Sequence, residues 1–292
     1  TVGTGANSTA DAFTIAADTA APGAFALGAP ADASKIGTSV SVSAAPSDGQ
    51  SGLRQVAFYS CDLSGGPCVP SIQIGLTQTV AVAGVYAVNW DTTGLTDGHS
   101  YAVDAVATDN VGHTTASTVS TVTVDNSAPA VSVAAPAAVT GAAFQSYDAA
   151  NKRLWLNANQ SGSFKLRATA SDADSGISSV TFPALLGAGA NAGTLNGGAY
   201  ESGTYSFNNP SSPGSKTIVA ANGVTNPAAE TSTDSIDVEV DGTSPTTIQT
   251  FPVDNGSYQT GTWNGNCAPS GICGTVTDGS SGVAQVNVAI KD

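Results

Sequence analysis

The sequence predicts an all-β chain built from sandwich domains in series, and three observations predict it. Tyr101, Val103, Ala105 and Ala107 alternate with Ala102, Asp104, Val106 and Thr108, Val122 and Val124 alternate with Thr121 and Thr123, and no window sustains a helical period. Small residues dominate, with 33 glycines, and 10% of the chain is charged. Two short markers recur in phase along the 292 residues, which is the signature of repeated structural units.

The first marker is a strand exit. AADTAAP (16–22), TVDNSAP (123–129) and EVDGTSP (239–245) each place an aspartate four residues before a proline. Proline cannot donate to a central ladder, so each motif ends a strand. Pro22, Pro129 and Pro245 stand roughly 110 residues apart, close to the length of one immunoglobulin-like sandwich. The second marker is an acidic turn ahead of an apolar strand: SDGQSGLRQVAFYS (47–60), SDADSGISSVTFPA (171–184) and TDGSSGVAQVNVAI (277–290). Gly52, Gly176 and Gly282 supply permissive backbone, and Val56/Phe58, Val180/Phe182 and Val286/Val288 are expected to face the core.

Taken in order, residues 1–18 read as the end of a preceding domain, with Phe13 and Ile15 on its last strand. Residues 19–126 form one immunoglobulin-like domain. Phe25/Leu27 and Val40/Val42 lie on its early strands, and Tyr86, Val88 and Trp90 share one face of a later strand. Asp97-x-x-x-Tyr101-x-Val103 has the spacing of the tyrosine corner, with valine where antibody domains carry cysteine. Residues 127–242 form a second domain with an inserted hairpin, 144–158, turning at Asp148–Lys152. Leu154 and Leu156 share one face of it, and Trp155 takes the other. Phe164, Leu166 and Ala168 mark the next strand, and Ile236, Val238 and Val240 the last. Residues 243–292 begin a further domain. The chain thus starts and stops inside a domain, and each end is expected to be completed by adjoining residues of a longer polypeptide or by strands from other copies.

WDTTGLTDGHSYAVDAVATDNVGH (90–113) with TVDNSAP resembles tandem bacterial Ig-like repeats of very large secreted or cell-surface proteins. YDAANKRLWLNANQSGSFKLRATASDADSGISSVTFPAL (147–185) looks like a second subtype, and the stretch from Trp263 to Asp292 like the opening of a third. The resemblance implies a rod-like array of immunoglobulin-like β-sandwiches that works as a stalk, filament or adhesive region. Its implied partners are neighbouring repeats, further copies of the chain, and host or surface glycans. A carbohydrate-binding accessory region of a secreted polysaccharide-degrading enzyme is the alternative.

The net charge of −14 argues against nucleic acid, whose phosphates require Lys and Arg. No apolar run approaches the roughly 20 residues of a membrane span. Four cysteines fall in two close pairs, Cys61/Cys68 and Cys267/Cys273, without the clustered ligands that zinc requires. Two disulfides are therefore expected, and with them an oxidising, extracellular setting.

Catalysis finds little support. His99 and His113 sit beside turns with no nucleophile elbow or metal-ligand cluster, and read as solvated loop residues. Calcium is the one ligand that the acidic pattern suggests, because hard cations take six to eight oxygens. Asp18, Asp125 and Asp241 occupy equivalent exits, and Asp109 lies on the turn between the last two strands of the first domain. A site near that domain's exit is expected to use Asp109 and Asp125. The second domain has Asn222 at the position of Asp109, so its site should be poorer in charge. The competing account is that these carboxylates cap turns in solvent.

Overall fold

A computed structural model describes residues 16–259, 267–268 and 271–289. Phe13, Ile15 and Trp263 lie outside the described residues. The chain divides into two compact units. One contains residues 1–127 with 173–175 and 223–230; the other contains 128–172, 176–222 and 231–292.

The first unit is a sandwich of nine strands: β1 (Leu27–Ala29), β2 (Lys35–Ile36), β3 (Ser39–Ala44), β4 (Leu53–Asp62), β5 (Ile72–Gln78), β6 (Tyr86–Asp91), β7 (Ser100–Asp109), β8 (Thr114–Ala116) and β9 (Ser120–Val124). One sheet runs β1-β3-β6 and the other β2-β9-β7-β4-β5, with β8 also on β7. All pairs are antiparallel except β2 with β9. Alternation decides which side chains enter the core. Val40, Val42, Val56, Phe58, Val103, Ala105, Val122 and Val124 are fully buried, and Tyr86, Val88 and Trp90 come inward from β6.

Trp90 stands edge-on to Tyr101 with ring centroids 6.1 Å apart. The Tyr101 hydroxyl accepts from the Thr96 amide at 3.2 Å, which closes the tyrosine corner expected from the spacing. This sandwich is immunoglobulin-like.

The second unit repeats the plan with additions. Its strands are β10 (Ala130–Thr140), β11 (Gln145–Asp148), β12 (Arg153–Asn157), β13 (Ser161–Ser171), β14 (Ile177–Phe182), β15 (Asn191–Ala192), β16 (Thr194–Asn196), β17 (Ala199–Glu201), β18 (Tyr205–Asn208), β19 (Gly214–Asn222) and β20 (Thr231–Asp241). One sheet runs β10-β13-β17-β16 with β18 on β13; the other runs β11-β12-β20-β19-β14-β15. Strand β12 lies parallel to β20, as β2 does to β9. The inserted hairpin therefore supplies the strand that Lys35–Ile36 supplies in the first unit, and adds β11 outside it. Leu154 and Leu156 are buried, while Trp155 points to the other face with the Arg153 guanidinium 5.3 Å from its ring centre. Phe164, Leu166, Ala168, Phe182, Ile218, Ile236 and Val238 fill the core.

A hairpin of β21 (Thr246–Phe251) and β22 (Cys273–Thr277) follows. Disulfides join Cys61 to Cys68 and Cys267 to Cys273, the first at the end of β4 and the second at the start of β22. Among the described residues no helix is long and apolar enough to cross a membrane.

Candidate functional site

The acidic turns share one construction. The Asp48 carboxylate accepts from the Gly52 amide at 2.7 Å, Asp172 from Gly176 at 2.9 Å, and Asp278 from Gly282 at 3.1 Å. A single carboxylate thus spans four residues in each case, and the glycine that closes it has φ of 80°, 75° and 80° respectively. That left-handed conformation is strained for residues with a Cβ, which explains the recurring glycine.

The exit aspartates share another. Asp18 Oδ1 accepts from the Ala20 amide at 3.1 Å, Asp125 Oδ1 from Ser127 at 3.0 Å, and Asp241 Oδ1 from Thr243 at 2.9 Å. At Asp18 and Asp241 the second oxygen then reaches the serine immediately before a turn glycine. Asp18 Oδ2 accepts from the Ser51 amide at 3.1 Å. Asp241 Oδ2 accepts from the Ser281 amide at 3.1 Å and from its hydroxyl at 2.5 Å. These donors hold both carboxyls below the usual range. Ser51 leads at Asp18, where its amide is the donor in place, and the Ser281 hydroxyl brings Asp241 to about 2. One aspartate therefore bends the linker and pins it to a turn some thirty to forty residues onward.

Two carboxylate groups gather further. In the first, Asp18, Asp109 and His113 bring their ligand atoms within 4.8 Å of one another. Asp109 is fully buried at the end of β7. Its Oδ1 accepts from the amides of Val111, Gly112 and His113 at 2.9, 2.6 and 2.9 Å, and its Oδ2 lies 2.8 Å from His113 Nδ1. Burial pushes the Asp109 carboxyl up, but His113 and the three amides outweigh it and leave it low. The bond to Asp109 raises His113. His113, when protonated, supplies one counter-charge to the two carboxylates of this group.

The second group is Asp97, Asp125 and Asp174, again within 4.8 Å. Asp97 accepts from the Asn126 amide at 2.8 Å and the Ser127 hydroxyl at 2.6 Å, and Asp125 is fully buried. The neighbouring Lys35 ammonium donates to the Ser175 carbonyl at 2.8 Å. Three carboxylates this close repel one another unless a cation or a proton intervenes. A spacing of up to 4.8 Å matches oxygens on opposite sides of a Ca²⁺ that binds each at about 2.3–2.6 Å.

The structure separates Asp109 from Asp125. They lie at opposite ends of the ten-residue β7, because Ser100 pairs with Thr123 while Asp109 ends the strand. At about 3.3 Å per residue that is roughly 30 Å, so no single ion is shared between them. The expectation of a common site is corrected to two separate groups. Asp97 and Asp174 are the partners that sequence reasoning missed. Asp97 stood in the tyrosine-corner motif, and Asp174 replaces Gln50 and Ser280 of the other acidic turns. That one charged departure was the available signal.

Among the described residues Asp241 gathers no such group. Asn222 ends β19 as Asp109 ends β7, each opposite the strand residue after a turn glycine (Ile177 and Leu53), and it too is fully buried. The histidines are not simply solvated. His99 pairs with Asp62 at 3.0 Å, as His113 does with Asp109.

No protein-family model matches the chain, and neither does any curated protein. Among solved structures the chain is similar to fibronectin(III)-like modules of Clostridium thermocellum CbhA, at 20% identity over 75% of this chain and 94% of that one, with a TM-score of 0.40. It is also similar to a 1.5-MDa bacterial ice-binding adhesin, at 13% identity over 74% and 64% of the chains, TM-score 0.34. A Ca²⁺-stabilised adhesin of an Antarctic bacterium gives 20% identity over 72% and 46%, TM-score 0.35. The chain thus spans less than two thirds of the length of either adhesin chain. The fold assignment rests on the strand order and register described above.

Proposed function

We propose that the chain is a non-catalytic structural and adhesive repeat region of a large extracellular, cell-surface protein. Its domains would run 19–126 and 127–242, with 1–18 ending an earlier repeat and 243–292 opening a later one. The observation that carries this reading is the repeated linker construction at Asp18, Asp125 and Asp241. Each carboxylate turns the chain onto the amide two residues ahead, and Asp18 and Asp241 also grip the acidic turn that follows. A stalk needs ordered linkers, and such a grip fastens the linker residue to the turn that follows it. Two disulfides suit an oxidising setting.

Calcium is the proposed cofactor, bound by Asp97, Asp125 and Asp174. The Asp18 group, in which His113 offsets one of two carboxylates when protonated, would bind it less well. The test is calorimetric unfolding with Ca²⁺ and with chelator. Binding to the native state at 100-fold above Kd should add about 2.7 kcal/mol. Asp174→Asn should remove most of that gain. A melting profile indifferent to Ca²⁺ would sink the calcium assignment and leave the linker construction to be tested by its own variants.

A further inference from the structure

The second unit contains a cavity of about 500 Å³ beside the Asp241–Ser281 contact. Its walls include Trp155 and Asn157 from β12, Gln145 from β11, Phe144 just before it, and Asp278 of the third acidic turn. We propose that it binds a neutral, polyhydroxylated sugar of about two rings. The inference does not depend on the stalk reading.

Alternation along β12 explains the wall. Leu154 and Leu156 enter the core, which leaves Trp155 and Asn157 on the outer face. Phe144, 37% exposed, ends a one-turn 3-10 segment and adds a second aromatic surface. Large aromatic side chains kept at a surface are costly to hydrate and favour contact with the C–H faces of a ring. Two aromatics with a few oriented polar groups form a usual small-molecule lining, and the volume lies in the range of about 300–1,000 Å³ for such sites.

The polar groups have spare valence of both kinds. Asn157 Oδ1 accepts from the Asn159 amide at 3.0 Å, so its NH₂ is available as a donor. Gln145 directs Nε2 to the Thr140 carbonyl at 2.9 Å, which leaves Oε1 as an acceptor. Asp278 Oδ1 is held by the Ser280 and Gly282 amides, which leaves Oδ2. Hydroxyl groups, which donate and accept, complement this set.

Charge selects among ligands. The lining holds carboxylates and neither Lys nor Arg, which disfavours an anion. A hard cation, which needs six to eight oxygens, is disfavoured too, because both Asp241 oxygens are taken by Thr243 and Ser281. Arg153 already holds the cation position over the Trp155 ring. A neutral polyol remains.

The test is isothermal titration of the 292-residue chain with cellobiose, maltose and lactose, and with 3′-sialyllactose as an anionic comparator. At least one neutral disaccharide should bind with one-to-one stoichiometry. Trp155→Ala should weaken it at least roughly tenfold, about 1.4 kcal/mol, with the melting temperature held. Asn157→Ala, read by the same titration, keeps the test open should the tryptophan variant fail to fold. The proposal is overturned if none of the neutral sugars binds, if sialyllactose binds as well as they do, or if binding survives both substitutions.

Discussion

Asp241 and Ser281 are joined across forty residues of chain, with Oδ2 of the first accepting the hydroxyl of the second at 2.5 Å. The Asp241 carboxyl sits at about 2, below its ordinary value, so its stabilising contribution is complete above pH 4 or so and is lost as pH falls through about 2. Ser281→Ala should cost about 1.5 kcal/mol, the low end of the usual worth of a hydrogen bond to a charged group, since Ser281 is exposed. Acid titration of unfolding in the wild type and the variant checks this. The two curves should converge at the lowest pH and separate above it.

Asp109 and His113 give the opposite limb. His113 is raised by its partner, so its contribution is full below about pH 6.5, its unfolded value, and fades as pH rises through the higher folded value. Asp109 is lowered, so its share is present above its unfolded value near 4 and fades in acid. The pair therefore stabilises most between roughly pH 4 and 6.5. His113→Gln should flatten the melting temperature between pH 6 and 8. An NMR titration of the His113 ring should place its midpoint above that of a free histidine.

Asp104 is a cost. It is 7% exposed on β7, its Oδ1 has no partner among the described residues, and burial pushes its carboxyl up. For an acid raised in the folded state, stability falls as pH rises through that value. Asp104→Asn should therefore raise stability at pH 7 by about 1 kcal/mol, since a neutral amide is cheaper to bury than an unpaired charge. Urea unfolding at pH 7 and pH 4 checks it, and the gain should shrink at the lower pH.

Tyr101→Phe removes only the hydroxyl that accepts from the Thr96 amide. The ring, with its edge contact to Trp90, stays. A loss of about 1 kcal/mol is expected from the broken bond, with the packing retained. Near-ultraviolet circular dichroism should be unchanged while the unfolding midpoint drops.

Much of this architecture is legible in the residues themselves. Alternation placed Val40/Val42, Tyr86/Val88/Trp90 and Phe164/Leu166 on inward faces, because a half-buried strand leaves its period in the sequence. The acidic turns could be read as well, since their aspartate–glycine spacing expresses a local hydrogen bond. The carboxylate groupings could not. Asp97 meets Asp125 and Asp174 because of where strands end in space, and position along the chain does not encode that. The same holds for Asp62 with His99, thirty-seven residues apart. Asp109 and Asp125 look adjacent on paper because sixteen residues separate them, yet antiparallel pairing sends them to opposite ends of β7.

The parallel pairs have a mechanical meaning. Strand β2 lies beside β9 in the first unit and β12 beside β20 in the second, and each pair runs in the same direction. A pull on the two ends of a unit drags such neighbours in opposite senses along their common axis. Their hydrogen bonds are then loaded together in shear instead of peeling one by one. The contact spans two residue pairs in the first unit, Lys35 with Thr123 and Ile36 with Val124, but five in the second, from Arg153–Asp237 to Asn157–Asp241. Under tension the first unit should yield before the second. The inserted hairpin, by lengthening that contact, gives its own unit the longer seam to shear.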